Sequence, residues 1–172
     1  ARATAAGSER LGGQIALPAG AASFDLADEV LIGARPTPIR LFRVAQPLPT
    51  VQAHFRKVLG TARIETEHGG WRLLARQDGA RLIGVRLRAT DPRHTEGSVA
   101  VTALDAAPAR PLEITLPTAS RLSGDVETSA QGRSARTLVW HNRHSVALNV
   151  RHLLRQLSRR GYRLEREVTI AG

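Results

Sequence analysis

The sequence predicts an α+β fold of two tandem repeated units, each a helix packed on an antiparallel sheet, with the second unit incomplete. Three observations predict it. Pro49-Thr50-Val51 opens a segment with apolar residues at Val51, Phe55, Val58 and Leu59, and His144-Ser145-Val146 opens another with Val146, Val150, Leu153 and Leu154 at the same spacing. Each segment runs to a glycine, Gly60 or Gly161, and Ile15-Ala16-Leu17-Pro18 upstream is echoed by Ile114-Thr115-Leu116-Pro117. Apolar residues spaced three and four apart share one side of a helix, and self-similarity over long stretches marks a repeated architecture.

The elements follow in order. Residues 1–14 are small and polar and read as a flexible N-terminal linker. Ile15–Pro18 reads as a short strand, and 24–32 as a strand or a helical turn. Pro36 and Pro38 interrupt the chain before 39–45, where side chains alternate as in a strand. Pro47-Leu48-Pro49 sets up the first helix, since proline in a first turn lacks only an N–H that has no partner there. Past Gly60, segments 62–67, 71–76, 81–89 and 98–104 read as strands, with Gly69-Gly70 and Asp78-Gly79 as turns, the latter a strong hairpin signal. The first α+β unit therefore spans 15–105. The alanine- and proline-rich stretch 106–111 reads as a linker, and 112–172 as the second unit. That unit restarts at 112–116, crosses a polar stretch from Ser123 to Ser134, and forms a strand at 136–140. A helix from about Ser145 to Arg160 and a last strand through Tyr162, Leu164, Val168 and Ile170 complete it. The first unit continues with further strands at this point, so the second is either completed by strands from elsewhere or, as the favoured expectation, the natural protein continues beyond Gly172.

A chain of 172 residues, 42% hydrophobic and 23% charged, has the composition of a globular protein rather than a disordered one. No apolar run approaches the roughly 20 residues that a membrane-spanning helix needs. The net charge is +10 with a pI near 11.6, and all but one of the basic residues are arginines. Residues 1–100 hold 14 Lys+Arg against 9 Asp+Glu, and 101–172 hold 11 against 6, so each part carries +5 and no single basic tail exists. Cysteine is absent, which excludes disulfides, thiolate nucleophiles and zinc–cysteine sites. Methionine is absent too, and the linker-like opening from Ala1 to Ser8 suggests a processed export signal, with a removed membrane anchor, an expression tag or a domain boundary as alternatives.

The most suggestive surface is on the second helix. Arg151, Arg155 and Arg159 fall opposite its apolar side, one turn apart, and Arg160 adds charge at its end. With no acid in the helix to neutralise them, they form a candidate site for an anion or an acidic partner. A solvated face with arginines favoured at the helix C-terminus explains the same pattern. In the first helix only Arg56 has a counterpart there.

Chemistry is harder to find. His141, His144 and His152 stand among arginines without nearby carboxylates, so no metal site is expected. There is no Gly-x-Ser-x-Gly elbow and no phosphate-binding glycine loop. Glu65 and Glu67, echoed by Glu165 and Glu167, read as ion-pairing residues on polar strand faces. Aromatics are 3% of the chain, too few for base stacking, with Trp71 and Trp140 expected as core or rim anchors. The expectation is a non-catalytic protein-binding or assembly module without cofactor or metal. It would be the soluble domain of an exported or membrane-anchored envelope protein, in secretion or pilus-type machinery by analogy only. Its partners would be proteins, acidic or joined by strand addition, and the membrane would be reached only through a segment removed from this chain. The alternative is a cytoplasmic nucleic-acid-binding protein that uses the arginine face.

Overall fold

The computed structural model describes residues 15–105, 112, 114–166 and 168. The elements are β1 (Ala22–Asp25), β2 (Glu29–Ile32), β3 (Arg35–Pro36), β4 (Ile39–Val44), α1 (Leu48–Leu59), β5 (Ile64–His68), β6 (Trp71–Asp78), β7 (Arg81–Asp91), β8 (His94–Ala103), β9 (Arg121–Ala130), β10 (Arg133–His141) and α2 (Val146–Arg159). One sheet has the order β1-β4-β8-β7-β6-β5 and the other β10-β9-β2-β3. The fold is thus α+β and dominated by antiparallel sheet, with two helices among the described residues. The described residues form two compact units, one of 15–105 with Asp125–Thr137, the other within Arg110–Gly124 and Leu138–Gly172. The linkers expected at 1–14 and 106–111 lie outside the described residues.

In the first unit, α1 lies on the sheet and seals a core. Phe42 and Val44 of β4, Val51, Phe55 and Leu59 of α1, Leu74 of β6, Ile83, Val85 and Leu87 of β7, and Val99 and Val101 of β8 are all buried. Alternation in the strands and helical spacing in α1 bring these residues to one interface. The rings of Phe42 and Phe55 lie 5.6 Å apart and tilted. Ile15, Leu17, Ala21 and Leu48 pack against its rim. Gly97 of β8 is forced by this packing. A Cβ there would fall 2.5 Å from the Arg86 carbonyl oxygen and 2.6 Å from the Phe42 ring.

Polar bonds secure the ends of α1. Gly60 takes a left-handed φ of 73° and returns its N–H to the Arg56 carbonyl, while Arg76 Nη1 donates to Leu59 O at 2.7 Å. The segment before β1 turns at Gly20, with Ala21 N–H donating to Pro18 O at 3.1 Å. Two side chains tie it to α1: Gln46 Nε2 donates to Ala19 O and His54 Nε2 to Ala16 O, both at 2.9 Å. Ile15–Pro18, expected as a strand, is therefore an irregular segment held by side chains.

The second unit makes bonds of the same kind. Ser120 N–H donates to Pro117 O at 3.1 Å across a turn where Ala119 has a φ of 60°. His144 Nε2 donates to Thr118 O at 2.9 Å, and His152 Nε2 lies 2.8 Å from Thr115 O. Ser145 caps α2, its hydroxyl accepting from Leu148 N–H. At the other end Gly161 donates to Ser158 O and Tyr162 to Leu157 O, a Schellman closure around a left-handed glycine.

The caps alter the correspondence expected between the helices. Val51 N–H bonds to the Pro47 carbonyl and Asn149 N–H to the Ser145 carbonyl. Counted from the N-caps, Val51 therefore shares its helix position with Asn149, not Val146, a displacement of about one turn. Apolar spacing alone does not fix this, because a stripe that repeats every three to four residues matches itself after one turn.

Other expectations change with the strands. Residues 24–32 hold β1 and β2 rather than a helical turn, and the polar stretch from Ser123 to Ser134 lies within the β9–β10 hairpin. Gln131 and Gly132 both take positive φ at its tip, the geometry that joins two strands tightly. Asp125 and Arg136 pair at 2.7 Å beside it. Residues 162–166 form no strand, contrary to the expected one; Ile170 lies outside the described residues. In the β2–β9 register Val30 faces Thr128.

Candidate functional site

The second unit carries α2, a helix with no buried residue. The cap and histidine bonds described above fix α2 against 114–118, and Gln156 adds a two-sided clamp. Its Oε1 accepts from Thr115 N–H at 2.8 Å, and its Nε2 donates to Thr115 O at 2.5 Å. Asn142, just past β10, exchanges amide hydrogen bonds with Asn149 at 2.9 and 3.1 Å and also donates to Ser120 Oγ. In the first unit the corresponding places hold Val44 and Val51, both buried. The junction between strand end and helix is thus apolar in one unit and hydrogen-bonded in the other.

This difference extends along the helix. Val51, Phe55 and Leu59 of α1 are at most 1% exposed, whereas α2 has no buried residue. Val146 is 70% exposed and Leu148 46%; Val150, Leu153, Leu154 and Leu157 are half-buried. Leu122, Val139, Tyr162, Leu164 and Val168 are also exposed.

The sequence-derived site residues lie on α2 and at its end. Arg151, Arg155 and Arg159 are exposed along the helix, and Arg160 is its C-cap. Among the described residues no ion pair engages any of the four. The chain matches no protein-family model, no curated protein and no solved structure.

The other polar groups are engaged in structural roles. His144 and His152 are directed to backbone carbonyls, and no group of three or more potential metal ligands occurs among the described residues. Glu65 accepts from Arg56 and Arg63, and these hydrogen bonds pull its pKa down to about 2. Glu67 pairs with Arg72. Asp91 accepts from Arg93 N–H and from the His94 ring, which lowers its pKa and closes the β7–β8 hairpin. Trp71 is a rim residue: the guanidinium carbons of Arg86 and Arg88 each lie 4.6 Å from its ring centroid. Among the described residues no helix is long and apolar enough to cross a membrane.

Sequence reasoning located the arginines but missed two parts of this surface. One is the β9–β10 hairpin, of which only 136–140 reads as a strand, because β9 and the start of β10 are largely polar. The other is the exposure of α2's apolar side, because amphipathic spacing reports which residues share a face and not whether anything covers it.

Proposed function

We propose that this protein is a non-catalytic protein-binding module built from a duplicated α+β unit, the second copy offering α2 to a partner. The observation that carries the reading is the contrast between the helices, α1 sealed and α2 with no buried residue. Duplication is supported by the matched side-chain bonds from the strand–helix junctions and helices to 15–19 and 114–118, and by the register of β2 and β9. Val30 lies three residues before the turn at Gly33, and Thr128 three before the turn at Gln131; these counterparts face each other across the ladder. Pairing of equivalent residues is the signature of a two-fold contact. The envelope setting expected from the sequence belongs to the same proposal and is checked by fractionating cells that express the natural gene.

The test is cross-linking in cells from a photoreactive residue placed at position 148, with Val146→Asp as the control. A discrete product with another polypeptide, lost in the control while the fold is unchanged, is expected. No product from this helix would overturn the reading.

Nucleic acid is the second reading, favoured by the unpaired arginines on α2. Binding through three phosphate contacts would give a log–log salt slope of about −3. Generic duplex that binds with this slope, reduced in Arg155→Glu, would favour it over a protein partner.

A further inference from the structure

We propose that the outer face of the six-stranded sheet, the side away from α1, carries a carboxylate-binding site centred on Arg86, and that an acidic segment of a partner polypeptide occupies it. The site lies on the first unit, on strands β4 and β6–β8, and is independent of α2.

Alternation along the strands assigns its residues. Ile83, Val85 and Leu87 of β7 enter the core, so Gly84, Arg86 and Arg88 take the outer side. By the same rule Trp71 and Leu73 of β6, Glu96 and Ser98 of β8, and Leu41 and Arg43 of β4 share that side. The register sets Leu73, Arg86, Ser98 and Leu41 in one row across the sheet, and Arg88, Glu96 and Arg43 in the next.

Trp71 holds two guanidiniums, with Arg86 and Arg88 each 4.6 Å from its ring centroid. An arginine stacked on an indole keeps its planar fork of N–H donors available to an acceptor. For Arg88 that acceptor is Glu96 on the neighbouring strand, reached by Nε at 3.0 Å and by Nη2. Arg86 faces Ser98 instead, and among the described residues no ion pair engages it. Arg43, opposite Glu96, is exposed and likewise has no ion pair there, since Glu96 pairs with Arg88. A carboxylate supplied from outside would complete at Arg86 the pair that Glu96 makes at Arg88, on a face with three arginines and one acid in these two rows.

The surroundings favour a polypeptide. Gly84 lies beside Arg86 on this side, between Ala75 and Ala100, and a Cβ there would meet nothing within 4 Å. A main chain can therefore come down to the level of the guanidinium, with Leu73 and Leu41 as apolar contacts for the residues next to its acid. Single-stranded nucleic acid fits less well, because Trp71 is engaged by two guanidiniums rather than offered to a base.

The probe is the peptide Leu-Glu-Glu-Leu-Glu-Glu, acetylated and amidated, titrated into the full isotope-labelled chain. Saturable shifts of the Trp71 indole and of the Arg86 and Arg88 Nε–H signals are expected. Arg86→Gln should weaken binding about 10-fold, whereas Arg155→Gln, which removes the same charge from α2, should leave it unchanged. Arg86→Lys should not restore it, because an ammonium lacks the planar fork. Equal losses in Arg86→Gln and Arg155→Gln, equal binding of the glutamine version of the peptide, or no shift at millimolar peptide would overturn the inference. So would tighter binding of oligothymidylate at the same signals, which would assign the fork to phosphate. A photoreactive residue at position 84, in cells expressing the natural gene, identifies the source of the acid. A product joined to a second polypeptide, lost in Arg86→Gln, is expected; no product, or a cross-link within the chain itself, would overturn the assignment to a partner.

Discussion

Replacing Gly97 with alanine tests the packing that governs the first unit. Glycine inside a strand is ordinarily a weakness, and alanine at an unobstructed position stabilises by about 0.5–1 kcal/mol because the unfolded chain has less freedom to lose. At Gly97 the new methyl would sit 2.5 Å from the Arg86 carbonyl oxygen and 2.6 Å from the Phe42 ring. The first obstacle is backbone in a paired strand, and the second is a buried ring held by Phe55. Neither yields as the end of a flexible side chain would, so strand and core must both shift. Overpacking of this kind costs about 1–3 kcal/mol, and the sign is therefore reversed from the ordinary case. Gly84 on the neighbouring strand β7 is the control, since a Cβ there meets nothing within 4 Å. Urea unfolding followed by circular dichroism should show Gly97→Ala destabilised by about 1–3 kcal/mol and Gly84→Ala unchanged or slightly more stable. In thermal melts the first should fall by roughly 2–12 °C, at about 2–4 °C per kcal/mol for a chain of this size. Equal stabilities of the two variants would refute the steric argument.

Three further outcomes follow from the same contacts. Asn149→Val should cost about 1 kcal/mol by leaving Asn142 without its amide partner, and adding Asn142→Val should restore most of it, as Val44 and Val51 suggest; a double-mutant cycle in urea without coupling would contradict this. Phe55→Ala should cost about 3–5 kcal/mol, but Leu153→Ala at the corresponding half-exposed place only about 1–2, and equal losses would mean that α2 is as well covered as α1. Glu65, with its folded pKa held near 2 against about 4.3 when unfolded, contributes stability that is present above the unfolded value and lost as pH falls through the folded one. The stability gap between the protein and Glu65→Gln should therefore narrow from about pH 4.5 to pH 2, and a gap independent of pH would exclude the ion cluster as its source.

Much of the first unit was legible in its sequence. The alternation in 39–45, 71–76 and 81–89 and the stripe at Val51, Phe55 and Leu59 state which side chains share a face, and the turn residues between them are unambiguous. The hairpin of β9 and β10 was legible only at 136–140, because the stretch from Ser123 to Ser134 is polar; Val30 opposite Thr128 and Asp125 with Arg136 stabilise it through partners distant in sequence. The roles of His144, His152 and Gln156 were hidden for the same reason, since each finds its carbonyl only after the chain has folded back.

The arginines at 151, 155 and 159 were placed together by helical geometry alone, and they are exposed. What sequence determined by itself is local: element type, amphipathic faces, turn chemistry and the charge on one side of α2. These follow from periodicity and backbone preference within a few residues. Tertiary structure decided the strand neighbours of β4 and β10, and that α1 buries Val51, Phe55 and Leu59 while α2 has no buried residue. Those depend on which distant segments meet, and an apolar stripe in sequence has the same pattern whether or not it finds a partner.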